Sequence, residues 1–164
     1  MSRVTRTTGW PLLRLTVVAL ATSGCLGAMI ETAIRCPARV PLAASELDAQ
    51  AKKMAPGSEK ALIYVYRNPK ETLGCAMTIL VTLDDRVAGQ TAPMTYFVWA
   101  VDPGKHEITS LTQSAAKLPL VAEAGKTYFV AQEVKLYGGS ELRPVDDATG
   151  RAAVAECRLI QDRF

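Results

Sequence analysis

The stretch ALIYVY at residues 61–66 decides the fold, because almost every residue in it is apolar. A short apolar run of this kind is typical of a β-strand that is covered on both faces. Downstream of it, large apolar residues occupy every second position from 77 to 83. Asp84-Asp85 then supplies a turn into residues 86–90. This arrangement predicts a β-hairpin after the first strand.

The chain from Lys60 onward continues as short β-rich runs separated by turn residues. Asp102-Pro103-Gly104 joins two of these runs. A second hairpin is predicted there, because proline presets φ and glycine tolerates the positive φ of a type II turn. The runs after the first hairpin cover residues 96–101, 105–111, 118–123, 126–136 and 141–145. This regular spacing predicts a mainly β fold, a single antiparallel β-sandwich over residues 60–164.

A short helix is predicted on the N-terminal side of the sandwich. Leu47, Ala51 and Met54 lie at helical spacing, which indicates one apolar face. Ser45 stands three residues before Asp48 and gives an approximate capping box. We expect this helix to run from Ser45 to Met54 and to lie against the domain.

The C-terminal stretch admits two interpretations. Residues 152–157 contain strong helix formers, whereas the apolar residues up to Leu159 would also suit a final strand. We favour a short C-terminal helix that begins near Asp146 or Thr149.

The first 25 residues resemble a secretion signal that ends in a lipid-attachment cysteine. Three arginines accompany a short apolar run at residues 15–21, and the small residues at 22–24 stand just before Cys25. This run of seven residues is far shorter than the roughly 20 residues that a helix needs to cross a bilayer, so cleavage is expected. We predict a signal peptide at residues 1–24, a lipid-anchored tether containing the short helix at residues 25–59, and diacylglycerol on the Cys25 thiol. The alternative is an ordinary cleaved signal.

Loss of the signal would remove the apparent basicity of the chain. Residues 1–24 contain three arginines and no acidic residue out of totals of 19 basic and 16 acidic residues, which leaves a formal charge of zero. No basic patch then indicates nucleic acid, and membrane attachment is expected through the acyl chains. Leu26 follows the cysteine where Asp would favour inner-membrane retention. We therefore expect an outer-membrane location that faces the periplasm.

The order of several segments resembles an uncharacterised family of bacterial lipoproteins, domain of unknown function 2846. The segments that carry this resemblance, which extends over residues 41–160, are ALIYVYR at 61–67, VTLDDRVAG at 81–89, YF at 96–97, PGKH at 103–106 and EAGKTYFV at 123–130. The same succession of a hairpin, a Pro-Gly turn and a Gly-Lys-Thr-Tyr strand is similar to the PEGA and prealbumin-like β-sandwiches. Asp85 stands where the family usually has glycine. The resemblance implies a fold and an envelope address, since the family has no established activity.

The residue types needed for catalysis are scarce. His106 is the only histidine, and it is expected to be largely exposed because it follows a Pro-Gly turn. Two carboxylate pairs and one glycine-lysine motif are better explained as turns than as a Ca²⁺ site, an acid–base pair or a P-loop. They are Asp84-Asp85, Asp146-Asp147 and Gly125-Lys126-Thr127, the last taken as a hairpin turn. We therefore expect neither an enzyme, nor a cofactor, nor a metal site.

Three cysteines remain once Cys25 is acylated. Cys36 lies in the tether, whereas Cys75 and Cys157 lie in the domain. A disulfide between Cys75 and Cys157 is the first prediction, and no disulfide at all is the alternative.

Two function classes stay open. The preferred one is a non-catalytic envelope module that presents a surface to a protein or glycan partner. The other is a periplasmic enzyme or small-ligand carrier. A pocket with perturbed carboxylates would favour the second class, and a flat apolar patch would favour the first.

If binding is the function, the candidate face consists of Tyr64, Tyr66 and Tyr128. Tyr64 and Tyr66 project to the same side of one strand, and Tyr128 belongs to a later strand. Tyrosine suits recognition because it contributes a large area at low entropy and carries a hydroxyl that tolerates water. The alternative is that these rings fill the core with their hydroxyls at its rim.

Overall fold

A computed structural model describes residues 39–67, 77–135 and 138–162 of the chain. The strands are β1 Ala61–Arg67, β2 Ile79–Leu83, β3 Arg86–Thr91, β4 Thr95–Val101, β5 Gly104–Leu111, β6 Ala115–Ala122, β7 Thr127–Val134, β8 Ser140–Val145 and β9 Arg158–Leu159. The helices are α1 Ser45–Ala51 and α2 Asp147–Glu156. Among these described residues, no helix is long and apolar enough to span a membrane.

The strands form two sheets, which confirms the mainly β sandwich. One sheet has the order β8-β7-β1-β4-β9, and the other has the order β3-β2-β5-β6. The second sheet is antiparallel throughout. The first is mixed, because β1 pairs antiparallel with β4 and parallel with β7, and β4 pairs parallel with β9. The predicted single β-sandwich is thus present, and its first sheet contains two parallel pairings beside the antiparallel ones.

Strand β1 is covered on both faces, as its apolar sequence predicts. Ile63 and Val65 belong to the core between the two sheets, together with Val81 and Ile108 of the second sheet. The alternate residues of β1 belong to a separate core that the first sheet forms with the two helices. This second core contains Tyr64, Tyr66, Tyr96, Phe129, Met54 and Val154.

The hairpin of β2 and β3 is confirmed, and its turn is left-handed at both central residues. Asp84 has φ of 50° and Asp85 has φ of 61°. Positive φ at both positions is the type I′ geometry that matches the twist of paired strands. Asp tolerates this region because its short polar side chain bonds locally, so glycine is not required at Asp85.

The predictions of hairpins at residues 102–104 and at residues 125–127 are wrong, because the strands on either side of each turn do not pair. Strand β4 lies in the first sheet and β5 in the second, so residues 102–104 cross between sheets and form no hairpin. The same holds for β6 and β7, which are joined through Gly125. Proline and glycine set a local change of direction, but the partner of the next strand depends on long-range packing. Further along the chain, β5 forms a hairpin with β6, and β7 forms one with β8.

Helix α1 differs from its prediction in length and in orientation. It ends at Ala51, and Met54 beyond it has φ of 50°. Its N-cap is Ala44, without a side-chain cap, so the capping box is wrong. Leu47 is 55% exposed, whereas Asp48 is only 8% exposed. The helix therefore turns a carboxylate toward the sheet.

The C-terminal segment contains both predicted elements in succession. Asp146 is the N-cap of α2, and its carboxylate accepts a hydrogen bond from the Thr149 N–H at 2.9 Å. After α2, residues 158–159 form β9 at the edge of the first sheet. Near the described N-terminus, Ala43 N–H donates to Leu159 O at 2.9 Å, and Gln161 N–H donates to Pro41 O at 3.0 Å. The folded part thus begins before Lys60.

Candidate functional site

A cleft of about 360 Å³ opens where the β2–β3 turn meets the crossing from β4 to β5. The turn contributes Asp84, whose φ is positive, and the start of β5 places His106 beside it. The lining includes five charged or titratable side chains around one indole, namely Asp84, Arg86, Asp102, His106, Asp162 and Trp99. This is the part of the described chain that gathers the residue types used in acid–base chemistry.

His106 is held at both ring nitrogens. Its Nδ1 lies 2.7 Å from Asp84 Oδ2, and its Nε2 lies 2.8 Å from the carbonyl oxygen of Asp102. Both partners are acceptors only, so both bonds require the doubly protonated imidazolium. The other carboxylate oxygen of Asp84 accepts the Glu107 N–H at 2.8 Å, which fixes the turn against β5.

The electrostatics of this pair agree with its geometry. Burial on its own would lower the pKa of His106, but the hydrogen bonds to Asp102 O and to the Asp84 carboxylate outweigh it, and the pKa is raised. For Asp84, burial on its own would raise the pKa, but the bonds from His106 and from the Glu107 N–H outweigh it, and the pKa is lowered. The result is an ion pair in which each partner stabilises the charge of the other.

The arrangement leaves His106 without the free nitrogen that a general base needs. The prediction of a largely exposed ring is also wrong, because the His106 side chain is only 13% exposed. Asp84, which is 22 residues away in the sequence, covers the His106 ring. No sequence pattern relates these two residues. The pair ties the crossing between sheets to the β2–β3 turn.

The second carboxylate pair serves helix α2. Asp146 caps the helix through Thr149, and Asp147 accepts a hydrogen bond from Arg151 Nε at 2.7 Å. Within the described ranges, no group of three or more His, Cys, Asp or Glu side chains is placed to hold a metal ion.

The three tyrosines of the predicted binding face do not share a surface. Tyr64 and Tyr66 lie together on one face of β1, but they are only 1% and 3% exposed. The Tyr64 ring stacks on Phe129, with ring centroids 5.1 Å apart. Tyr128 packs against the opposite core, and its hydroxyl accepts the Glu123 N–H at 3.0 Å. Tyr64 and Tyr66 are core residues, as the alternative interpretation of these rings has it, because helices α1 and α2 cover that face of β1.

Asp48 is a structural residue that the sequence pattern does not reveal. Its Oδ1 accepts hydrogen bonds from the Tyr96 hydroxyl at 2.9 Å and from the Leu159 N–H at 2.8 Å, and its Oδ2 accepts one from Lys52 at 2.9 Å. Burial on its own would raise the Asp48 pKa, but these donors outweigh it and the pKa is lowered. The Tyr64 hydroxyl donates to Ala51 O at 2.6 Å. Helix α1 is therefore tied to the first sheet by polar contacts.

A buried polar network joins the two sheets at the other end of β5. Gln132 donates to Ser110 Oγ at 2.6 Å and accepts from Thr91 Oγ1 at 2.6 Å. Ser110 Oγ lies 2.7 Å from Ser140 Oγ. The only sequence signal for this network is a glutamine inside the otherwise apolar stretch of β7.

Cys157 is buried, and burial raises the pKa of its thiol to about 12. Among the described residues the thiol has no disulfide partner, and it lies 3.5 Å from the carbonyl oxygen of Arg67, to which it donates. Cys25, Cys36 and Cys75 lie outside the described residues. The disulfide between Cys75 and Cys157 and the lipid attachment at Cys25 therefore stay predictions.

The fold and the cleft define a two-sheet β-sandwich in which the histidine and Asp84 of the cleft contact each other. Residues 57–142 match the family model described as "Protein of unknown function (DUF2846)". Because this match covers more than half of the chain, the protein belongs to that family. It is also similar to an uncharacterised protein of Haemophilus influenzae, with 29% identity over 127 residues that cover 74% of each chain.

Proposed function

We propose that this protein is a lipid-anchored, non-catalytic β-sandwich module of the bacterial envelope. Acyl chains on Cys25 hold it at the outer membrane, and the domain faces the periplasm, where it binds a protein or glycan partner. The two-sheet architecture supports the likeness to PEGA and prealbumin-like sandwiches. No cofactor takes part in this role.

One observation carries the non-catalytic part of the proposal. The only histidine of the chain uses both ring nitrogens to hold the β2–β3 turn and the crossing to β5. An imidazolium in this position has no lone pair with which to accept a proton. The buried Cys157 thiol, whose pKa is raised, is likewise a poor nucleophile, because the thiolate is the reactive form.

The anchoring part rests on the sequence before Cys25. Thr22-Ser23-Gly24 presents small side chains to a lipoprotein signal peptidase, and the run of apolar residues before it is short. The experiment is metabolic labelling with an alkyne fatty acid. We expect the wild type and Cys36→Ala to be labelled and Cys25→Ala to remain an unlabelled precursor. Equal labelling of Cys25→Ala would refute lipid attachment.

The partner is sought by cross-linking the tagged protein in living cells and identifying captured molecules by mass spectrometry. A protein or glycan that is recovered with the wild type and lost with Cys25→Ala supports an anchored binding module. Recovery of the same set from both variants would show that the contacts do not depend on anchoring.

A small-ligand carrier is the second candidate, and the cleft beside His106 favours it. Its volume of about 360 Å³ falls within the range of small-molecule sites, and it contains a carboxylate with a lowered pKa. Native mass spectrometry of the protein purified from envelopes tests this candidate. A bound mass that disappears in His106→Asn supports a carrier, whereas the mass of the protein alone argues against it.

A further inference from the structure

A second concavity, of about 410 Å³, lies where the described chain begins, and its lining is mainly apolar. Two large apolar side chains border it and are exposed. Leu42 is 42% exposed and Met94 is 47% exposed. Arg39, Arg158 and Glu156 add charge at the rim, and Arg158 Nε also lies 4.0 Å from Asp48 Oδ2. We call this groove, with its two apolar side chains, the Leu42–Met94 face.

Met94 is held on this face at a conformational cost. It follows Pro93 and has φ of 60°, in the left-handed region that side chains other than glycine and asparagine seldom adopt. The turn is over-determined by its neighbours. Thr95 Oγ1 donates to Ala92 O at 2.6 Å and accepts from Ala92 N–H at 3.0 Å, and Met94 O accepts from Arg158 N–H at 2.8 Å. Backbone strain that the surroundings maintain is concentrated at functional sites.

Leu42 is presented just as firmly. It forms an isolated antiparallel bridge with Ile160, and the residues on either side of it hydrogen-bond to the segment around β9. The backbone at both exposed side chains is therefore held by hydrogen bonds to neighbouring segments.

The position of this face along the chain indicates what it meets. Arg39 lines the groove and comes 14 residues after Cys25. A chain of that length spans at most about 50 Å when it is fully extended. If Cys25 carries acyl chains, the bilayer surface is thus a large apolar environment within reach of this face. Such a tether would keep the bilayer at a high effective concentration around the domain.

We propose that the Leu42–Met94 face docks on the phospholipid bilayer. Leu42 and Met94 enter the boundary between headgroups and acyl chains, and the guanidinium groups of Arg39 and Arg158 meet lipid phosphates. Arginine suits this role because its planar fork matches phosphate geometry. The inference rests on the proposed lipid anchor at Cys25, and it adds an orientation, with the groove toward the membrane and the remaining surface free for a partner.

The test places the photo-cross-linker p-benzoylphenylalanine at position 94 of the full-length protein in living cells. The matched control has it at Val121, which is 64% exposed on β6 of the other sheet. After irradiation, adducts are identified by mass spectrometry. We expect a phospholipid adduct at position 94 that is at least tenfold more abundant than at position 121. The same substitution at Leu42 is a second probe that leaves the strained turn intact, and we expect the same excess there.

The outcomes separate this inference from the anchor. Acylation of Cys25 is measured by mass in the same preparation. If Cys25 is acylated but positions 42 and 94 give protein adducts, or lipid adducts no more abundant than position 121, the docking proposal is overturned and the anchor stands. If Cys25 carries no acyl chain, the proposed anchor fails, and the docking inference fails with it.

Discussion

Gly150 in helix α2 lies directly against Phe129 of the first sheet. A Cβ added at this position would lie 2.1 Å from Cγ and 2.4 Å from Cβ of Phe129. Carbon atoms in favourable contact are about 3.5–4.0 Å apart, so the helix or the ring would have to move by more than roughly 1 Å. The Phe129 ring has little freedom, because it stacks on Tyr64 inside the second core.

The substitution Gly150→Ala sets two effects against each other. Alanine gains about 1 kcal/mol over glycine in a helix interior. Overpacking costs about 1–3 kcal/mol and sometimes more, and the severity of this overlap places it at the upper end. We expect the free energy of unfolding to fall by about 2 kcal/mol, which corresponds to a melting temperature lower by roughly 6–10 °C in a domain of this size.

Thermal and urea unfolding followed by circular dichroism measures the change. Gly57→Ala is the matched control, because a Cβ there meets nothing within 4 Å and its φ lies outside the left-handed region. We expect the control to stay within about 0.5 kcal/mol of the wild type. A Gly150→Ala protein that melts at or above the wild-type temperature would refute the docking of α2 on Phe129.

Two further predictions concern the polar contacts. Asp48→Ala removes the acceptor of the Leu159 N–H and leaves the Tyr96 hydroxyl only the more distant Asp48 backbone carbonyl, so we expect a loss of about 2–4 kcal/mol in unfolding free energy, and a smaller loss for Asp48→Asn, which keeps one acceptor oxygen. Because the folded pKa of Asp48 is lowered, its contribution is present above the unfolded value near 3.8 and is lost as the pH falls through the folded value; acid unfolding of both variants checks this. The folded pKa of His106 is raised, so its contribution is fully present below about pH 6.5 and is lost as the pH rises through the folded value. We expect His106→Asn to abolish this loss of stability with rising pH. The pKa of the wild-type imidazole is measured from its signal in NMR titrations. An unshifted pKa, or an unchanged dependence of stability on pH in the variant, would contradict the ion pair.

Local sequence signals predict several elements correctly. The apolar run of β1 predicts a strand with two covered faces, since side chains on both sides of a strand are apolar only when both sides are buried. The Asp84-Asp85 turn between alternating segments predicts the β2–β3 hairpin. Asp146 predicts the start of α2, because its carboxylate can reach an N–H three residues later. In each case the determining contact lies within a few residues.

The failures concern contacts between residues that are distant in sequence. Asp48 is buried because Tyr96 and Leu159, which are 48 and 111 residues away, supply its donors. A helical pattern weighs Leu47 as apolar and Asp48 as polar, so it assigns the two to the wrong sides. The turn at residues 102–104 likewise carries the local signals of a reversal, whereas the sheet that receives β5 is decided by its pairing with β2 and β6.

The same reasoning explains why residue types alone are a poor guide to function in this protein. His106 is the side chain that catalysis would use, yet both of its ring nitrogens lie at hydrogen-bond distance from acceptors. Such partners fix the protonation and the orientation of an imidazole, so a histidine in the sequence does not by itself indicate a catalytic base. The strained and accessible Met94 has the opposite character, because its backbone is held at a cost while its side chain remains exposed. We therefore propose the Leu42–Met94 face, rather than the titratable residues, as the surface to test for function.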